Sequence, residues 1–434
     1  MSPRTRKLLF LSLTGAFFII GTLVVLYAQG WRLDMRTLRA RKVGALYIHT
    51  SPKNAEIFLD DKLIPRNFGF FSESTLINNL FPKNYRLLIK SPDYKDWQKT
   101  VAVSPAEVLE IKNAVLVPVF PKPATARPVE DFLIFPEGIL TQNQNSLWLN
   151  DSKIAGNKII ARDNKQNLIS YDTTQKAYYL NNLQNGTSFW LDSLFVKVGL
   201  GFQSDDKIIL GANSDVILQK PNSLWLVEPL KPTAQRLTTT PQNEFVRSVS
   251  AAGSAIVWTV FDGQTNQSRL LAYDKISKTQ KTIAILDNGP VAYQTWNDTS
   301  LLALVQENGD FYLYDTKSGE VKKIASDVRQ VKFFGDKKVA ALENHSLEIF
   351  SLRDDKYWRF NLPQVESAKN LEWYDDFHIF VHYPEETKLL SMEDGSLENF
   401  AVVAQTKTGY FEPESNKFYF LNNESIYYLQ FAQD

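Results

Sequence analysis

Four short runs decide the fold: Val291-Ala-Tyr-Gln-Thr295, Leu301-Leu-Ala-Leu-Val305, Phe311-Tyr-Leu-Tyr-Asp315 and Val321-Lys-Lys-Ile324. Each is apolar or alternating, and turn residues such as Lys317-Ser318-Gly319 separate them, so the segment predicts four consecutive short strands. The third run, an aromatic strand leading into a polar turn, recurs along the chain. It reads Leu168-Ile-Ser-Tyr-Asp172, Leu224-Trp-Leu-Val-Glu228, Leu270-Leu-Ala-Tyr-Asp274, Leu347-Glu-Ile-Phe-Ser351, Lys388-Leu-Leu-Ser-Met392 and Ile426-Tyr-Tyr-Leu-Gln430. With Phe311 in its place, successive starts lie 56, 46, 41, 36, 41 and 38 residues apart. A period near 40 with four strands per unit is the pattern of a β-propeller. Seven copies predict seven blades, with six or eight as alternatives because the first two spacings are irregular. The last copy lies too near the C-terminus for a fourth strand. Phe132-Leu-Ile-Phe135 is expected to supply it, closing a ring that would otherwise leave strand edges open.

Working outward from the repeats, the stretch 117–129 reads VPVFPKPATARPV and carries four prolines. Proline fixes φ and removes a donor, so residues 119–129 are expected to form an extended linker ahead of a propeller at 130–434. Before it, 44–118 alternates as a small β-domain. Strands are expected at Ala45–His49, Glu56–Asp60, Asn84–Lys90, Trp97–Val103 and Val108–Val117, in a small sandwich or open barrel.

The order of short motifs in this domain is specific. Pro52-Lys53-Asn54-Ala55 follows the first strand, Asp60-Asp61 the second, Pro82-Lys83-Asn84-Tyr85 leads into the third, and Asp93-Tyr94-Lys95-Asp96-Trp97 comes after it. The segment resembles the PEGA domain of bacterial and archaeal surface proteins, whose Pro-Glu-Gly-Ala signature is kept here at Pro52 and Ala55. Asn54 stands where that signature has glycine and is expected to adopt the left-handed conformation. The resemblance implies a non-catalytic binding or spacer module outside the membrane.

Residues 8–28, LLFLSLTGAFFIIGTLVVLYA, contain no charge. A bilayer core of about 30 Å needs roughly 20 apolar residues in a helix. The run is longer than the apolar region of a cleaved signal peptide, and Leu26-Tyr27-Ala28 is a poor cleavage site, so a retained transmembrane helix is expected. A short basic tail, residues 1–7, carries Arg4, Arg6 and Lys7. A basic segment, 29–43, carries Arg32, Arg36, Arg39, Arg41 and Lys42 against Asp34. With cations on both flanks the charge rule does not set the orientation. Gly30-Trp31-Arg32-Leu33-Asp34 resembles the approach to this domain in anchored relatives, which implies that the C-terminal domains are extracellular. The downstream cations are either a solvated face or a contact for anionic headgroups.

Over 434 residues, 48 Lys and Arg balance 48 Asp and Glu, so the basic excess of a nucleic-acid binder is missing and no such partner is expected. The absence of cysteine excludes disulfides, thiolate metal sites and cysteine nucleophiles. His378 and His382 fall four apart on an expected strand, roughly 13 Å, too far to share one metal. His49 and His345 are isolated. Asp172, Asp274 and Asp315 lack calcium-loop spacing and suit turns. Gly199 and Gly201 lack the strand–loop–helix setting of a nucleotide site. No catalytic, cofactor or metal residue is identified, and no cofactor is expected.

The sequence therefore describes an all-β, single-pass membrane protein of the cell envelope. Its expected role is binding or scaffolding of a protein or glycan, without catalysis. The alternative is an envelope hydrolase or lyase whose residues lie on the propeller funnel.

Overall fold

The computed structural model describes residues 3–35, 38–65, 74–125, 127–163, 166–203, 205–211, 214–252, 255–287, 289–296, 301–315, 318–354, 356–392 and 400–432. Arg36 of the basic segment and Lys317 of the repeat turn lie outside these residues. The chain divides into two units, one built mainly of Met1–Pro121 and the other mainly of Lys122–Leu397 with Val402–Tyr428.

The first unit begins with helix α1, Pro3–Ala28. Its segment Leu9–Ala28 is long and apolar enough to cross a membrane, and none of it is buried against the protein. A two-stranded hairpin, Trp31–Asp34 with Arg39–Lys42, follows directly. Seven further strands make two sheets. Gly44–Ser51 lies between Thr75–Leu80 and, in parallel, Val108–Val115; the other sheet joins Lys62–Leu63, Glu56–Leu59, Lys83–Lys90 and Trp97–Val103. The Thr75–Leu80 and Lys62–Leu63 strands lie outside the stretches whose alternation predicts strands. Along Trp97–Val103 every second residue is buried, so one face of the strand meets the core. Leu46, Ile48, Ile57, Leu87 and Ile89 from both sheets are inaccessible and share that core, each contributing roughly 1.5–3 kcal/mol by burial.

The turn chemistry of this sandwich departs from the expectation for Asn54, which is not among the residues of positive φ. The left-handed pair is Asp60 and Asp61, at φ 47° and 62°, where a tight hairpin demands it. The Asp60 carboxylate repays part of the strain by accepting the Arg86 N–H at 3.0 Å and pairing with Lys83. Those bonds, the Lys83 one first, hold its pKa below the usual carboxylate value.

The second unit is a β-propeller. Among the described residues it contains eight four-stranded antiparallel sheets, so the expectation of seven blades is corrected to eight. Blades 1 to 8 occupy residues 131–154, 158–190, 207–239, 244–286, 291–325, 328–360, 370–404 and 409–430. The recurrent aromatic run is the third strand in blades 3 to 8, but Leu168–Asp172 belongs to the second strand of blade 2. The third strands of blades 1 and 2 are Ser146–Leu149 and Ala177–Asn182. Ser146–Leu149 carries Trp148 and runs into the Asn150–Asp151 turn, so blade 1 holds a copy of the motif beyond the seven, and the first spacing is long because Leu168 lies in a second strand and Leu224 in a third.

The closing strand is also corrected. Phe132–Phe135 is part of the inner strand of blade 1, while Lys122–Pro123 pairs with Tyr427 and Tyr428 as the outer strand of blade 8. Phe132 and Phe135 are buried at 0% and 3% exposure, whereas an outermost strand such as Thr187–Trp190 is exposed throughout. An outer edge also tolerates proline, which has no N–H to offer the ladder. The inner strand of blade 1, Asp131–Phe135, packs back on that of blade 8, Gly409–Glu412, so the ring is shut.

Second strands carry the packing. Ala255–Asp262, Leu301–Gln306, Lys338–Glu343 and His378–His382 are buried in nearly continuous runs, because both faces of a blade pack on neighbours. Trp258 in blade 4 is fully buried with Ile217, Leu224 and Leu226 of blade 3, and among the described residues its indole Nε1 has no hydrogen-bond partner. Trp258→Phe therefore loses packing but also removes an unpaired buried donor, and should cost about 1 kcal/mol; Trp258→Ala should cost about 4 kcal/mol. Urea denaturation of both variants checks this: a Trp258→Phe cost as large as that of Trp258→Ala would mean that the indole N–H is satisfied.

Candidate functional site

The first strand of every blade lies innermost, and inner strands pack in sequence around the axis, as those at Lys158–Arg162, Lys207–Leu210 and Glu244–Ala252 do. Their polar side chains are the ones a propeller presents to its central channel. On the inner strands of blades 7, 8, 1 and 2 stand Glu372, Tyr410, Asp131 and Arg162. The Tyr410 ring meets Phe132 edge-on at 5.2 Å. The Arg162 guanidinium lies 5.7 Å from the Tyr410 ring and 5.9 Å from Phe135, within cation–π range of both.

The carboxylates are held by main chain. Asp131 Oδ1 accepts the N–H of Phe132 at 2.9 Å. Glu372 Oε2 accepts the N–H of Phe411 at 2.8 Å, which ties blade 7 to blade 8, and lies 3.5 Å from His382 Nε2. Burial, with repulsion from Asp131 and Glu372, pushes the Tyr410 phenol up to about 12 against the opposing pull of Arg162. Crowding also raises the Asp131 pKa, opposed by the Phe132 N–H and by Arg162, although the residue keeps an exposed surface. At neutral pH Tyr410 is thus a neutral hydrogen-bond donor beside one fixed cation and two acceptors. This set suits a hydroxyl-rich or amide-rich ligand, with the aromatic faces available to its apolar parts.

The histidines take packing positions. His378 Nδ1 lies 2.9 Å from Asp375 and His382 Nδ1 lies 3.0 Å from Thr387 Oγ1, both within blade 7. His382 also stacks on Phe418. His49 Nδ1 lies 3.3 Å from Ser74 in the sandwich, and His345 is exposed in a turn of blade 6. Among the described residues no group of three His, Asp or Glu is placed to hold a metal. Asp172 accepts the N–H groups of Thr174 and Gln175, and Asp274 those of Ile276 and Ser277, so both close turns. Asp315 accepts Ser318 Oγ at 3.0 Å in the equivalent turn. Gly199, at φ 74°, ends a short helix, α2, Leu191–Lys197, which the strand-dominated pattern had hidden.

Two clefts lie between blades 5 and 6. One, of about 510 Å³, is walled by Leu313, Ile324, Phe350, Leu352 and Tyr357. The other, of about 330 Å³, includes Gln306, Asn308, Asp327 and Arg329. Arg329 is committed to structure there: its guanidinium donates to the carbonyls of Glu343, Val365, Glu366 and Ala368, fixing the turn that leads into blade 7. None of Glu372, Tyr410, Asp131 and Arg162 stood out in the sequence. Their signal, polar residues on innermost strands, is readable only once the phase of each blade is known.

These features define a β-propeller protein that also carries an apolar N-terminal helix and a small β-sandwich. No family model matches the chain, and no curated protein matches it. Among solved structures it is similar to BamB from Moraxella catarrhalis, at 8% identity and TM-score 0.46, covering 73% of this chain and 98% of that one. It is also similar to an oligogalacturonate lyase from Vibrio parahaemolyticus, at 12% identity and TM-score 0.45, covering 69% and 96%. Both are β-propellers. Likenesses this distant carry no functional argument, and the fold rests on the chain's own eight sheets.

Proposed function

We propose that the chain is a single-pass membrane-anchored envelope protein whose propeller binds a protein or glycan in a scaffolding role. The observation that carries this reading is α1, whose apolar segment Leu9–Ala28 finds no burial within the protein and so suits a lipid environment. The PEGA-like motif order of the sandwich supports placing both β-units outside the cell. The mixed polar and aromatic lining of the channel supports a ligand bound by hydrogen bonds and ring faces.

Topology is tested with a single cysteine, since the chain has none of its own. Gln264, exposed in a blade 4 turn, is the position of choice; neighbouring Asn266, at φ 56°, would strain a cysteine. Gln264→Cys should react with a membrane-impermeant maleimide in intact cells. Labelling only after lysis would reverse the orientation and sink the surface role.

A second reading, a propeller hydrolase or lyase, draws on the same cluster of Asp131, Arg162, Glu372 and Tyr410. On that reading Glu372→Gln and Tyr410→Phe abolish turnover of an oligosaccharide or peptide substrate. Ligand binding by the wild type without turnover favours the scaffold.

A further inference from the structure

The hairpin that follows α1 has an arrangement that a solvated basic segment does not need. Its register sets Trp31 opposite Lys42, Arg32 opposite Arg41, Leu33 opposite Ala40 and Asp34 opposite Arg39. Because side chains alternate along a strand, Arg32, Arg39 and Arg41 share one face with a single carboxylate, Asp34. Arg32 and Arg41 are direct cross-strand neighbours, and like charges set directly opposite destabilise a sheet, a cost that an anion held between them would offset. All four residues of Arg39–Lys42 are exposed.

The hairpin is also fixed at one depth. Arg32 Nη1 donates to the Tyr27 carbonyl at 2.7 Å and to the Trp31 carbonyl at 2.9 Å. Its guanidinium lies 3.6 Å from the Tyr27 ring. It therefore caps the Tyr27 carbonyl in the last helical turn, where a cation is favoured, and holds the arginine face at the end of the apolar span. Trp31, with the Lys42 ammonium 5.8 Å from its ring, sits at the level where interfacial aromatics gather. A headgroup phosphate lies at the same depth and is the anion that an arginine pair grips well.

We propose that Arg32, Arg41 and Arg39 form a binding site for the phosphate headgroup of an anionic membrane lipid. The proposal rests on the reading of α1 as a retained membrane helix. It assigns the hairpin a second role besides joining helix to sandwich, that of selecting the lipid around the anchor.

The full chain is reconstituted in vesicles of phosphatidylcholine alone, or of phosphatidylcholine with phosphatidylglycerol. Flotation reports insertion, and spin-labelled lipids report which headgroup is held at the protein surface. The wild type should float with both vesicles and hold phosphatidylglycerol in preference. Arg41→Gln and Arg39→Gln, at exposed positions, should each lower that preference about fivefold while flotation stays unchanged. Arg32→Gln should do the same, and Lys62→Gln on the sandwich should not. Equal retention of the two lipids by the wild type, or a preference that survives Arg39→Gln/Arg41→Gln, overturns the headgroup site and leaves the anchor standing. Failure to float with phosphatidylcholine vesicles overturns the anchor and the site with it.

Discussion

Val129→Asp should destabilise the propeller by about 4 kcal/mol or more and lower its melting temperature by roughly 10 °C. Val129 is 2% exposed and packs with Phe132, Tyr419 and Ile426. Its N–H donates to the Glu424 carbonyl at 2.7 Å, and Ala124, a few residues earlier, donates to the Ile426 carbonyl at 2.8 Å. These groups fasten the segment before blade 1 to the last strand of blade 8, and with Lys122–Pro123 they are how the ring is closed. An aspartate here must bury an unpaired charge or take up a proton, and either outcome costs several kcal/mol. Val129→Ala keeps the backbone bonds and loses only packing, so it should have a visibly smaller effect. Thermal denaturation followed by circular dichroism distinguishes the two. A Val129→Asp midpoint within a degree of wild type would mean that the segment does not latch the ring.

The propeller should also lose stability steeply between pH 10 and pH 12. The phenols of Tyr410 and Tyr419 are both pushed up to about 12, chiefly by burial, and Tyr383 is raised as well. Tyr419 also donates toward Glu412 at 3.5 Å, which favours its protonated form. The sign follows from linkage. Below pH 10 the phenols are protonated in both the folded and unfolded chain, and their contribution is constant. Between 10 and 12 the unfolded chain releases these protons while the folded chain keeps them, so stability falls as pH rises. Two units of displacement correspond to roughly 2–3 kcal/mol for each tyrosine. Lysines lose charge over the same range, so the informative quantity is the difference between proteins. Tyr410→Phe/Tyr419→Phe should be less stable than wild type at pH 9 and should lose markedly less on going to pH 12. Parallel losses in both proteins would exclude the phenols as the cause.

The helix at Pro3–Ala28 was legible because the uncharged, mostly apolar run at 8–28 satisfies a length requirement that no tertiary contact modifies. Sandwich strands such as Trp97–Val103 were legible because one buried face imposes a period of two. The missed strand Thr75–Leu80 alternates too, but Asn78 and Asn79 break the apolar pattern, and Asn79 takes a positive φ of 60°. The short helix Leu191–Lys197 was hidden in a connection between blades, where seven residues are too few to show helical periodicity.

The candidate site was almost wholly illegible. His382 drew notice for its spacing from His378, yet its neighbours in space are Thr387, Phe418 and Glu372. Asp131, Arg162 and Tyr410 follow no motif, and up to 279 residues of chain separate them. What joins them is that each stands on an inner strand and that blades 8 and 1 are neighbours. Arg39 and Arg41 were visible as basic residues, but the pairing of Arg41 with Arg32 depends on a hairpin register.

By itself the sequence determined the propeller class, the small β-domain and the apolar helix. Each follows from local rules, strand length, turn chemistry and hydrophobic period, that operate within some forty residues. Only the tertiary structure decided that there are eight blades, that Lys122–Pro123 and not Phe132–Phe135 closes the ring, and which polar residues meet at the channel. Those outcomes depend on which strand edge pairs with which and on whether one or both faces of a strand are covered. A residue's neighbours in the chain do not encode either, because a short apolar strand reads alike at the inner, middle and outer positions of a blade.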